Sequence, residues 1–322
     1  MPTASAPLIT TEPNTTTTNT TNTNTTNTST IETGAPTAMT ATTYPAADSA
    51  SIIRPTTATT PQIRDRHSDL AGVPAAIRSE WIKLRSLRST PAILGLTVVV
   101  GVLLSWILAT LVKTDPETHK VFTVGQTFIF STWLSTVLAI VMGTLLFTSE
   151  VQHGTLAGSV TAQPARWVAV AAKAAVGSCL GLVMGVLGMI GGFSGAVLGG
   201  LGAGDTSNMA STALWGLLLT TLAPAFGLGV GMIIRHSAAA ASTVLVWALV
   251  VENLIKGFGP VKVTRFMPFS AANGLLGIHS AGDTPATIAA ALPRIQDALL
   301  FSGYTLTAVL VGTALLYRRD TN

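Results

Sequence analysis

VFTVGQTFIFSTWLSTVLAIVMGTLLFTS, residues 121–149, is a run of 29 residues without a charge, and its reading decides the fold. About 20 apolar residues cross the roughly 30 Å of a bilayer's hydrocarbon core, and a charge at the centre of a span costs at least about 2.5 kcal/mol. The run is therefore a membrane span. It exceeds the need by about nine residues, roughly 13 Å at the helical rise, so the helix either tilts or protrudes. Protrusion would carry Glu150, Gln152, His153, Gly154 and Thr155 beyond the headgroups, before Pro164 stops the segment and Arg166-Trp167 begins the return. A projecting knob and an ordinary loop are both open readings of that stretch.

The same ruler applied outward finds five more charge-free runs, at residues 89–112, 174–204, 206–234, 237–251 and 298–317. The fifth is short and reaches a full span only by continuing through Glu252 to Ile255, which places that carboxylate near the outer end of span five. The expected spans are about 92–112, 121–149, 174–204, 207–234, 237–255 and 298–317. An all-α polytopic membrane domain over residues 74–320 follows.

Composition agrees. Of the 322 residues 48% are hydrophobic and 10% charged, against about 25% charged in soluble domains. Thirteen charges fall in residues 1–91, sixteen in the 226 residues 92–317 and three after them. The formal net charge of +4 is small, and its cations flank apolar segments without forming a basic face, so no nucleic-acid partner is implied. The single cysteine, Cys179, excludes an intramolecular disulfide or a cysteine metal cluster; within an apolar stretch it is expected to pack as a small apolar residue. Residues 1–73 form a Thr/Asn-rich tail, with only Thr, Asn and Ser between Asn14 and Thr30. Such a composition is expected to stay disordered; the first apolar run is not preceded by a basic n-region, and no cleavable signal peptide is visible.

Orientation follows from the cations beside the spans. With the N-terminus inside, nine Lys and Arg lie on the cytoplasmic side: Arg78, Lys83, Arg85, Arg88, Arg166, Lys173, Arg235, Arg318 and Arg319. Six lie outside, four of them in the long stretch between spans five and six, where charges count little. Both termini are expected in the cytoplasm. Before span one, Pro74–Arg88 sets Ile77, Trp81, Leu84 and Leu87 at helical spacing, with Arg78, Glu80, Lys83 and Arg85 mainly on other sides. This reads as an amphipathic helix on the inner surface of the lipid bilayer.

In span three Gly177, Gly181 and Gly185 share one stripe, and small residues in such a stripe let helices approach closely. Helix packing or a dimer contact is the expectation, with a backbone-lined substrate path the sharper alternative. Pro224 among Gly227, Gly229 and Gly231 marks a kink or hinge in span four. Between Glu252 and Asp297 two short helical pieces, about Ala271–Ile278 and Pro285–Leu292, fit re-entrant or interfacial elements, or a partly ordered outer loop. No phosphate-binding loop, His-Glu-x-x-His or Gly-x-Ser-x-Gly occurs. Ion-coupled carriers usually hold several intramembrane acids; here Glu252 alone lies near one.

These pieces together resemble the membrane-spanning permease subunits of ABC-2 type ABC transporters, common in bacteria. The matching residues are Ser79-Glu80-Trp81-x-Lys83-Leu84-Arg85 before span one, Glu150-x3-Gly154-Thr155-Leu156 after span two, and Pro164-x-Arg166-x6-Lys173 before span three. Arg235-His236-Ser237, Trp247-x4-Glu252, Pro268-Phe269 and Arg318-Arg319-Asp320 complete the series. The resemblance implies an N-terminal elbow helix carrying Trp81, Lys83 and Arg85, and re-entrant helices before the last span. It implies a coupling segment with Glu150, Gly154, Thr155 and Arg166 that contacts a separate ATP-binding cassette subunit. It further implies a second permease subunit, a bacterial plasma membrane location and export. No cofactor is expected in this chain, since ATP and Mg would be bound by the partner. A membrane scaffold or sensor without transport is the alternative; an intramembrane enzyme is disfavoured, because no acid, base and nucleophile converge at one depth.

Overall fold

The computed structural model describes residues 72–86, 89–113, 124–154, 166–202, 208–278 and 285–319. The tail before residue 72, Leu87, Arg88, Thr155 and the segment to Ala165 lie outside the described residues. Every regular element among the described residues is a helix. A short helix α1 (Val73–Ser86) precedes α2 (Ser89–Lys113), α3 (Val124–Gln152), α4 (Arg166–Leu198) and α5 (Met209–Ile234). Then come α6 (Ser237–Phe258), three short helices α7 (Val261–Thr264), α8 (Pro268–Leu276) and α9 (Pro285–Ala289), and the last long helix α10 (Arg294–Arg319). Helices α2 to α6 and α10 are the six long and apolar enough to cross a membrane.

The spans begin and end later or earlier than their charge-free runs. Span three starts at Arg166, not near residue 174, because Lys173 stays inside the helix with its charge met by carboxylates of other elements. Its other end comes at Leu198, short of residue 204, because Gly200 turns left-handed (φ 74°). There Gly200 N–H donates to the Val197 carbonyl and Leu201 N–H to that of Ala196, and Leu201 packs back on Ala196, which is how a Schellman motif closes a helix. Cys179, expected to pack, is exposed on the apolar outer face of α4 with Leu182 and Val186.

The centre of the bundle is α5, packed against α3, α4 and α10. Pro224 does not break this helix. It is buried where two glycines admit it: a Cβ added to Gly143 of α3 would strike the Pro224 backbone, and one on Gly181 of α4 would strike the Pro224 ring and the Thr220 carbonyl. That carbonyl is the one Pro224 cannot donate to, so the glycine backbone takes the place a side chain would deny. The stripe Gly177, Gly181 and Gly185 therefore packs inside the chain, against Pro224 and Thr220. Its use as a dimer contact is corrected by this geometry, since no face of the stripe is left for a second copy.

Helix α3 buries seven hydroxyls, among them Ser131, Ser135, Thr144 and Thr148. Each donates to a carbonyl three or four residues earlier in its own helix, so polar groups are met without a partner helix. In α6 the residues Trp247–Val251 form a π-helical turn, after which Glu252 is 1% exposed. Its carboxylate accepts from Phe269 N–H (3.0 Å) and Ser270 Oγ (2.8 Å) in the first turn of α8, where a negative charge meets the helix dipole. Pro268 suits that first turn. Helix α8 then buries Ala272, Leu275 and Leu276 against α5 and α10, and Phe269 against Phe226 of α5. The expected piece at Ala271–Ile278 thus starts three residues earlier, and Gly277 (φ 70°) closes it.

Candidate functional site

One end of the bundle gathers most of the residues that the sequence singles out. Ser237 Oγ donates to Gln152 Oε1 (2.8 Å), joining the start of α6 to the end of α3. Arg166 at the start of α4 donates to the Leu316 carbonyl (3.3 Å) and lies over the Tyr317 ring, at the end of α10. Helices α3, α5 and α10 therefore finish at this end, and α4 and α6 begin there. The left-handed turn at Arg235, whose N–H donates to the Gly231 carbonyl, makes the reversal from α5 to α6 in two residues.

Helix α1 lies across the same end. It buries Ala76 with Val168 and Ala172 of α4, and Leu84 in the main core. Its carboxyl end is held by Thr90 Oγ1, which donates to the Leu84 carbonyl (2.7 Å). The apolar stripe read from spacing splits: Ile77 and Leu84 pack inward, whereas Trp81 is 40% exposed. Lys83 and Arg85 are exposed as expected. Glu80 turns inward, which spacing did not foresee.

Between α1, α3 and α4 stand two carboxylates and two ammonium groups. Lys173 Nζ, on a residue 5% exposed, donates to Glu150 Oε1 (2.6 Å) and Glu80 Oε2 (2.7 Å). Lys83 Nζ, nearer water, reaches Glu80 Oε1 (2.7 Å) and Glu150 Oε1 (3.3 Å). The four charges cancel, and each anion is bonded to both cations. Burial pushes the Glu80 carboxyl up, but Lys173 and Lys83 outweigh it and hold the group below its ordinary 4.5. Burial likewise pushes Lys83 down, and the two carboxylates reverse this, leaving it above 10.5.

The signs set a pH window. Glu80 contributes stability above about 4.5 that is lost as pH falls through its lowered value, and Lys83 contributes below about 10.5 and loses it above. The melting temperature of the wild-type chain should exceed that of Glu80→Gln by a constant margin from about pH 6 to pH 9. Below pH 4.5 the margin should shrink toward zero; a margin that grows on acidification would contradict the arrangement.

Of the expected coupling residues, Glu150 thus sits in the last turn of α3, within the ionic group. Gly154 is exposed and left-handed (φ 67°) just after that helix, with open space around its Cα. Arg166 is half-buried against α10, and Thr155 lies outside the described residues. The structure adds Glu80 and Lys173, which stand in the matching motifs but which no local pattern pairs, since Lys173 meets Glu80 across 93 residues of sequence. Glu252 lies at the opposite end, where it holds α8.

The chain gives no match to any curated protein. Residues 76–253, more than half of the chain, match the model of the ABC-2 family transporter protein. That stretch runs from α1 through the five long helices α2 to α6, and so includes the ionic group that joins α1 to α3 and α4. The chain therefore belongs to the ABC-2 transporter family, as a multi-pass permease component of an ABC transporter, a class that works with an ATP-binding subunit.

Proposed function

We propose that this chain and a second permease subunit form the translocation path of an ATP-driven exporter in a plasma membrane, with both termini in the cytoplasm. ATP and Mg belong to the partner subunit. The partner takes hold where α3 ends and α4 begins, at Glu150, Gly154, Thr155 and Arg166, and its movement reaches the spans from there. The observation that carries this reading is Lys173, one buried cation bonded to carboxylates of both α1 and α3. A push on the segment after α3 is transmitted through Glu150 and Lys173 to the elbow helix, and through Arg166 to the end of α10. Nine cations beside the spans at this end against six at the other support its cytoplasmic placement.

The test is co-purification of the chain with its ATP-binding partner, together with the ATPase rate of the reconstituted pair. Glu150→Ala with Arg166→Ala should weaken association about tenfold, equivalent to ~1.4 kcal/mol, and lower the ATPase rate. Lys262→Gln, exposed at the far end, should change neither. Unchanged association and ATPase rate in a double variant that still melts cooperatively would remove the coupling assignment.

A further inference from the structure

At the end opposite the ionic group, the close of α6, the short helices α7 to α9 and the start of α10 enclose a cavity of about 640 Å³. Its charges are uneven. Among the described residues Lys256, Arg265 and Arg294 line it, and Asp297 is the one carboxylate that does. Among the described residues Arg265 and Arg294 have no ion-pair partner, and Lys256 has only a long pair with Glu252. Arg294 donates only to the hydroxyls of Ser211 and Thr212, both at 3.2 Å. Arg265 lies over the Phe266 ring with a buried Nε that has no hydrogen-bond partner. Lys256 is 3.7 Å from Glu252, whose carboxylate is already taken by α8. Asn273 adds a buried amide oxygen without a partner.

A second, smaller recess of about 180 Å³ shares Asn253, Lys256, Asn273 and Ile278 with the first and runs on to Phe130, Trp133 and Phe269. One wall is thus cationic and the adjoining one aromatic. Ile288, which lines the first cavity, is exposed, so an apolar side chain stands at its edge.

We infer that these joined cavities bind an anionic amphiphile, with a phosphate or carboxylate head among Arg265, Arg294 and Lys256 and an apolar tail in the recess at Trp133 and Phe130. Guanidinium groups suit such heads because their paired donors match two oxygens at once. A head of this kind would take the free Arg265 Nε–H and balance the excess of cations. The tail would replace water against aromatic faces, so head and tail each contribute. The inference concerns binding by the single chain and does not depend on what is transported.

The full chain in phosphatidylcholine nanodiscs should be titrated with hexyl phosphate, following tryptophan fluorescence, with inorganic phosphate and hexanol as separate probes. Hexyl phosphate should bind saturably, and inorganic phosphate and hexanol each at least about tenfold more weakly. Arg265→Gln, which removes a stacking contact and no hydrogen bond, should weaken hexyl phosphate about tenfold; Asn273→Asp, which adds a carboxylate, should do so too. Absence of saturable binding, or unchanged affinity in both variants, would overturn the site. Inorganic phosphate binding as tightly as hexyl phosphate would overturn the amphiphile and leave a bare anion site. A variant whose melting temperature falls far below wild type is replaced by Lys256→Gln, for which the same tenfold loss is expected and no loss overturns.

Discussion

Replacing Lys173 with Met is expected to lower stability by about 3–5 kcal/mol, the range seen when one member of a buried ion pair is removed. The cause is less the lost bonds than what remains. Glu80 and Glu150 would face each other without the buried cation that bonds both, and Lys83, 45% exposed, is a weaker screen for a buried repulsion. At about 2–4 °C per kcal/mol the melting temperature should fall on the order of 10 °C. Lys173→Arg should recover part of this, limited by the fit of a broader head. The triple change Glu80→Gln, Glu150→Gln and Lys173→Met should come within about 1 kcal/mol of wild type, because neutral side chains of similar size replace the buried members and the exposed Lys83 ammonium is left to water. A single Lys173→Met chain melting within 2 °C of wild type, as converted from about 1 kcal/mol or less, would show that the bonds to α1 and α3 carry no weight.

That group also marks where sequence reading stops. Spans are legible because lipid penalises charge, so runs such as residues 121–149 announce themselves. Their ends are less legible, because the penalty vanishes where a distant residue supplies the counter-charge. Lys173 looks like a boundary cation in the sequence, and the approach of Glu150 and Glu80 makes it an interior one. Helix α1 shows the same limit: spacing finds Ile77 and Leu84, but Glu80 turns inward for a partner 93 residues away. Glu252 was recognisable as an acid near a span's end. Its hold on α8 depends on the π-helical turn before it and on Phe269 and Ser270, which no periodicity connects. The cations of the far cavity, at 256, 265 and 294, share no local pattern at all.

Glycine packing separates what spacing can say from what contact decides. Gly177, Gly181 and Gly185 repeat every four residues and so share a face, yet the repeat is silent about which helix meets it. Gly143 has no such repeat and is the more constrained. A Cβ there would fall within 3 Å of the Pro224 Cα and carbonyl carbon, both backbone atoms that cannot rotate away. Gly143→Ala must therefore push α3 and α5 apart at the centre of the bundle. Overpacking of this kind typically costs about 1–3 kcal/mol, and Gly143→Val should exceed the upper figure because its branches meet the same wall. Gly95 supplies the contrast, since nothing lies within 4 Å of its Cβ position in α2. There alanine should be neutral or stabilising by up to about 1 kcal/mol through helix propensity. Melting of the two alanine variants in one detergent decides the matter. If Gly143→Ala melts no lower than Gly95→Ala, the close crossing of α3 and α5 at Pro224 does not hold the bundle together.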